Sequence, residues 1–243
     1  MMKRLIAAIK WDVLLQAKYG LYAAGSVVTI MWICILYFLP DESMAYAIPM
    51  VLFGDLAVVG YLFIAAMMYF EKGQGSIEAV IVTPLREREY IIAKLASILV
   101  YVVGTTVVMI FILSLFKTFE VHVLVLILGA IFISLFFTEL GFLLSSKYKT
   151  FTDFLLPTSL LLMILTIPII DFFGFTANSS FRFIFYLWPT YGQLKILQSG
   201  FTHMNPLDIA YGFIYNGICI FLMFNQCIKV FNTSMIGRKG ELK

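Results

Sequence analysis

The residues able to do chemistry in this chain stand out because so little around them can. Two carboxylates, Asp55 and Glu139, fall inside long apolar runs, where a charged group costs at least about 2.5 kcal/mol even on lenient insertion scales. Such an acid binds a proton or cation, lines a polar pathway, or anchors two helices by a hydrogen bond. Asp55 fits pathway and anchor equally. Glu139, about six residues from the end of its run, fits the anchor better, with Lys147 or the membrane surface within its reach. The other concentration is the stretch EKGQGSIEAVIVTPLREREYIIAKL, residues 71–95, whose charges crowd around two glycines and a Thr-Pro. No GxxxxGK[ST], GxSxG or HExxH motif occurs, so the sequence offers no phosphate-binding loop, nucleophile elbow or zinc-protease pair. His122 and His203 stand alone, and Cys34, Cys219 and Cys227 lie in apolar runs without CxxC spacing. We expect no catalytic residue, no metal site and no nucleic-acid partner.

The elements that position these residues are set by hydropathy. The chain is 62% apolar and 13% charged, against roughly 45–50% and about 25% in soluble domains. Uncharged runs separate Lys18 from Asp41, Lys94 from Lys117, Glu120 from Glu139, Asp153 from Asp171 and Asp208 from Lys229. Each is long enough, or nearly so, for a helix across a hydrocarbon core about 30 Å thick. A sixth run, residues 46–70, contains Asp55. The runs are apolar on every face, which excludes the alternation of a membrane β-barrel. The fold class expected is an all-α integral membrane protein forming one transmembrane domain over 1–243. Its six transmembrane helices span about 19–39, 46–70, 92–116, 122–145, 152–171 and 208–229.

Residues 1–18 open like a signal peptide, but Lys10 and Asp12 end the apolar part and no cleavage site follows. Leu5, Ile6, Ile9 and Val13 share one helical face, with Lys3, Arg4, Lys10 and Lys18 mostly opposite, so an amphipathic interfacial helix is expected. Fourteen Lys and Arg residues fall on one side of the six-span arrangement, and only Lys117, Arg182 and Lys195 on the other. The positive-inside rule then puts both termini in the cytoplasm. Residues 71–91 become the long cytoplasmic connection, and residues 172–207 a large external segment. Gly20/Ala24, Ser134/Thr138 and Gly141/Ser145 have the small-xxx-small spacing of close helix packing.

Within the cytoplasmic connection, Gly73 and Gly75 allow a sharp exit from span two, and Ser76 suits an N-cap. Glu78 lies where it complements the helix dipole, Ile77, Val80 and Ile81 form one apolar stripe, and Pro84 after Thr83 ends the segment. A short helix over 76–82 is predicted, lying across the mouth of the bundle. Its apolar stripe calls for the membrane surface or a partner protein.

This stretch resembles the loop of ABC-2-type transporter permeases, through Glu71, Gly75, Ser76, Ile77, Glu78, Thr83, Pro84, Glu89, Tyr90 and Lys94 at matching spacing. The sharp motif covers about 25 residues; the layout of amphipathic helix, six spans and external segment covers the chain. The resemblance implies that 76–82 is a coupling helix docking on a separate cytoplasmic nucleotide-binding ATPase. That ATPase binds the ATP and Mg; this chain carries no cofactor. It also implies a second permease subunit, the same or related, surrounding membrane lipids, and a bacterial cytoplasmic membrane. Outward export of a drug, peptide or lipid-like molecule follows. The external segment holds Trp188, Pro189 and Tyr191 in WPTYGQLKIL, similar to the Pro-aromatic stretch of such permeases. By that likeness it is a re-entrant hairpin gating the outer side, although Tyr186, Trp188 and Tyr191 equally suit an interfacial aromatic loop. The sequon at Asn178 carries little weight. The competing function is an ion-coupled secondary transporter or channel using Asp55 and Glu139, and a more distant one is a membrane enzyme.

Overall fold

The computed structural model describes residues 2–75, 86–174 and 180–233, and the side chains of all of these except 180–182. Every regular element among them is helical. Helix α1 (Met2–Lys18) precedes α2 (Leu21–Phe38), α3 (Met44–Gly73), α4 (Glu87–Phe116), α5 (Val123–Ser145) and α6 (Phe151–Leu165). A one-turn α7 (Ile169–Phe172), a 3-10 segment (Ser180–Leu187), α8 (Pro189–Gln198) and α9 (Pro206–Phe231) complete the order. Among the described residues six helices are long and apolar enough to cross a membrane: α2, α3 with its 3-10 lead-in from Asp41, α4, α5, α6 continued by α7, and α9. At 1.5 Å per residue, the 30 residues of α3 and of α4 exceed the roughly 20 needed to cross the hydrocarbon.

Lipid is as apolar as leucine, so these helices associate through close packing and polar contacts rather than the hydrophobic effect. The most extensive pairing joins α3 to α5, and α3 is the most buried span. Small residues make that seam possible. A Cβ on Gly141 would lie 2.6 Å from the Tyr61 carbonyl, and one on Gly60 would lie 3.1 Å from that of Ser134. The spaced small residues Ser134/Thr138 and Gly141/Ser145 therefore face a partner helix. Gly20 does not. It holds φ +74°, with nothing near its missing Cβ, and it breaks the chain between α1 and α2 in a conformation that glycine adopts cheaply.

The outer helices α2, α6 and α9 leave most of their apolar side chains exposed or only half-buried within the single chain. Helix α8 is the reverse. Residues Thr190 to Leu197 are all buried against α3, α5 and α9. A Cβ on Gly212 of α9 would meet the Gly192 carbonyl of α8 at 2.8 Å, so two glycines let this short helix into the bundle. An interfacial position for Tyr191 is thereby corrected: it is 2% exposed and sits inside. A break at Thr166–Pro168 interrupts the fifth span between α6 and α7, which together run from Phe151 to Phe172 where 152–171 was expected.

Candidate functional site

Three of the motif residues meet at the base of the charged loop. Glu71 ends α3, while Tyr90 and Lys94 lie four apart on one face near the start of α4. Glu89 fixes that start by accepting from the Arg86 backbone N–H at 3.0 Å. Lys94 is 1% exposed and forms an ion pair with Glu71 Oε1, whose other oxygen accepts the Tyr90 hydroxyl at 2.5 Å. The second anion comes from α1: Asp12 Oδ1 stands 2.6 Å from Lys94 Nζ. One turn on, Gln16 Nε2 donates to Ser97 Oγ at 2.7 Å, and Ser97 donates to the Lys94 carbonyl.

Asp12 and Gln16 are the two fully buried side chains of α1, and both are polar. The face turned toward the bundle runs through Leu5, Ile9, Asp12 and Gln16, while Ile6 of the expected apolar stripe is exposed. Burial pushes the Asp12 carboxyl up from its ordinary value, against the downward pull of the Lys94 ammonium. Two carboxyl groups share one ammonium in a buried centre that ties α1, α3 and α4 together.

Further bonds surround it. Tyr19 at the end of α1 donates to Gln74 Oε1 at 2.9 Å, and Lys72 Nζ donates to the Ser145 carbonyl at 2.7 Å. The Tyr90 ring packs 4.9 Å from that of Phe231 at the end of α9. The two ends of the loop thus bind each other and touch α1, α5 and α9. Gly75, with φ +65°, turns the chain away just beyond. The candidate residues Ser76, Ile77, Glu78, Val80, Ile81, Thr83 and Pro84 lie outside the described residues. The junction holds no nucleophile–base pair, and no metal-binding group of His, Cys, Asp and Glu occurs among the described residues.

The intramembrane acids are placed differently. Asp55 is buried in α3 and Glu139, 1% exposed, in α5. Neither joins an ion pair, and Glu139 Oε2 has no hydrogen-bond partner among the described residues. The expected reach of Glu139 to Lys147 does not occur; its neighbour is Cys227, whose Sγ lies 3.6 Å from the Glu139 carbonyl. The structure does not bring Asp55 or Glu139 into the junction.

At the opposite end, Trp188 Nε1 donates to the Ile164 carbonyl at 3.2 Å, closing the break in the fifth span. Pro189 starts α8 at its first helical position, where a missing N–H costs nothing. Tyr191 donates to Asp171 Oδ2 at 2.8 Å. Sequence reasoning missed Asp12 and Gln16 at one end and Asp171 at the other. The available signal for Asp12 was a carboxylate seven residues after Leu5 and three after Ile9, on the apolar side of a basic helix.

Comparison with known proteins places the chain. The fluoroquinolones export permease protein family matches residues 3–239. Two proteins, each described as a fluoroquinolones export permease protein, are 28% identical to this chain; they come from Mycobacterium tuberculosis strains CDC 1551 / Oshkosh and ATCC 25618 / H37Rv. Each alignment covers 99% of this chain and 100% of the relative. With a family match over nearly its whole length and six helices able to cross a membrane, this multi-pass protein belongs to the fluoroquinolones export permease protein family.

Proposed function

We propose that this chain is the translocating subunit of an ATP-binding-cassette exporter, moving an amphipathic or hydrophobic drug outward across a bacterial cytoplasmic membrane. The relatives' description makes an aromatic drug of the fluoroquinolone type the first substrate to try. A separate ATPase, binding ATP and Mg, docks on a coupling helix at residues 76–82, and two permease subunits complete the pathway. The basic end of the bundle, with both termini, faces the cytoplasm by the charge asymmetry of the loops. Residues 172–207 form a re-entrant hairpin with α8 inside the bundle, where shielding by protein makes irregular backbone tolerable.

The observation that carries the reading is the junction of Glu71, Tyr90, Lys94 and Asp12. A loop meant only to set topology needs no buried ion pair between its two ends. A loop that must pass a partner's movement to the spans needs a stiff base, and a buried charge shared by three helices supplies one. The test is purification of the tagged permease in gentle detergent, followed by ATP hydrolysis and transport assays. An ATPase should accompany the wild type, and Glu78→Arg should abolish ATP-driven transport in a folded protein. Full transport by that variant would remove the coupling role.

The second reading, ion-coupled transport, draws on the lack of ion pairs at Asp55 and Glu139 among the described residues. Under it Asp55→Asn is the lethal change, and no ATPase accompanies the permease.

A further inference from the structure

Helix α1 is turned inside out. Its buried side chains, Asp12 and Gln16, are polar and meet Lys94 and Ser97 of α4. The opposite side of the helix, by spacing, carries Lys3, Lys10, Leu14 and Lys18, with Trp11 beside them. All five are exposed, Trp11 and Leu14 by 62% each. None of the three lysines joins an ion pair among the described residues. Asp12 is the one acid within residues 1–20, and it points inward to Lys94. The outward face therefore has cations and no anion of its own.

Neither water nor hydrocarbon suits such a face. Water leaves Trp11 and Leu14 unburied, and hydrocarbon strands three ammonium groups. The boundary between them satisfies both: the indole and the leucine enter the acyl region, while the lysine stems run along it and place their heads among phosphates. The position of α1 agrees with this. Gly20 turns it off the start of α2, and Tyr19 just past its end bonds Gln74 just past the end of α3, so the helix lies beside the ends of the spans.

We propose that the outward face of α1 is a docking surface for anionic phospholipid. The lysines take lipid phosphates, and Trp11 and Leu14 seat between acyl chains. A zwitterionic lipid offers the same phosphate together with an ammonium group that the lysines repel; a lipid of net negative charge brings no such repulsion. Attraction to an anionic surface amounts to roughly fivefold in binding per lysine. The lipid has a second effect, because α1 is one continuous helix: holding its outer face also holds Asp12 on Lys94. Such a surface requires only that the chain sits in a membrane, whether or not an ATPase docks on it.

The test uses the full-length permease in nanodiscs made of phosphatidylcholine alone or of equal parts phosphatidylcholine and phosphatidylglycerol. In the mixed discs one of the two lipids carries bromine on its acyl chains, which quenches a nearby indole. Subtracting the emission of Trp11→Phe from that of the wild type isolates Trp11. Brominated phosphatidylglycerol should quench Trp11 more than brominated phosphatidylcholine, corresponding to a local preference of about tenfold. The Lys3→Gln/Lys10→Gln/Lys18→Gln variant, which changes exposed side chains only, should bring the two lipids to equality, and high salt should shrink the preference of the wild type. Phosphatidylglycerol should also raise the melting temperature of the wild type and leave that of the triple variant unchanged. Equal quenching by the two lipids, a preference that survives in the triple variant, or a wild-type melt indifferent to phosphatidylglycerol would overturn the inference. Trp11 quenched by neither lipid would mean that protein, a second copy or another partner, covers this face, and would overturn it as well.

Discussion

Two buried glutamates, Glu71 on α3 and Glu139 on α5, are surrounded in opposite ways. Glu71 has Lys94 on one oxygen and the Tyr90 hydroxyl on the other, with Asp12 completing the group from a third helix. Glu139 lies further into the bundle, with one oxygen unpartnered among the described residues. The contrast separates two uses of charge in an apolar protein. At the loop base, charge is concentrated and shared between elements, so moving one element disturbs the others. In the bundle interior the carboxyl stands apart from the ion pairs found among the described residues. The first arrangement suits mechanical coupling, and the second suits a polar spot in a pathway.

The contrast can be broken most forcefully at Lys94. Replacing it with methionine leaves two buried carboxylates facing each other. Removing one partner of a buried pair costs about 3–5 kcal/mol, so Lys94→Met should lower the detergent unfolding temperature sharply and reduce the yield of monodisperse protein. Neutralising all three residues together, with Asp12→Asn and Glu71→Gln added, should recover most of that loss, because a neutral group pays no such desolvation cost. If the triple variant were no more stable than Lys94→Met, the stability of this end would have to come from elsewhere.

Of intermediate size is the packing of the seam that holds the centre. Gly141→Leu drives a side chain into the Tyr61 backbone, which cannot swing away, and should cost about 1–3 kcal/mol in the same melt. The smallest effect belongs to Glu139. With no ion pair to lose, Glu139→Gln should change stability by less than about 1 kcal/mol, and a much larger loss would mean that Glu139 has an essential partner.

How far the sequence revealed these two regions follows from what each depends on. The long apolar helices were legible because lipid demands uninterrupted runs, and charges such as Lys94, Lys117 and Asp208 mark where runs stop. Glu71, Tyr90 and Lys94 were legible as a spaced pattern, though the spacing did not say that they touch. Asp12 was legible only as a carboxylate on the apolar side of a basic helix. It entered as the residue ending an apolar stretch, whereas its role depends on how Gly20 folds α1 back against α4. The burial of α8 was hidden for a similar reason. PTYGQLKILQ is too polar and too short to read as buried, and only the meeting of Gly192 with Gly212, 20 residues apart, lets it in. Local composition reported helices; contacts between distant small or charged residues decided which faces are inside.

The most direct test of the central claim is ATP-driven export by the Asp12→Asn/Glu71→Gln/Lys94→Met permease, reconstituted with its ATPase in vesicles beside the wild type. The neutral triple is expected to keep the fold while removing the shared charge. The account predicts that the variant still binds the ATPase and that ATP is still hydrolysed, while export falls by tenfold or more. Export at the wild-type rate would contradict it, and would leave the buried junction as a packing feature with no part in transmitting movement.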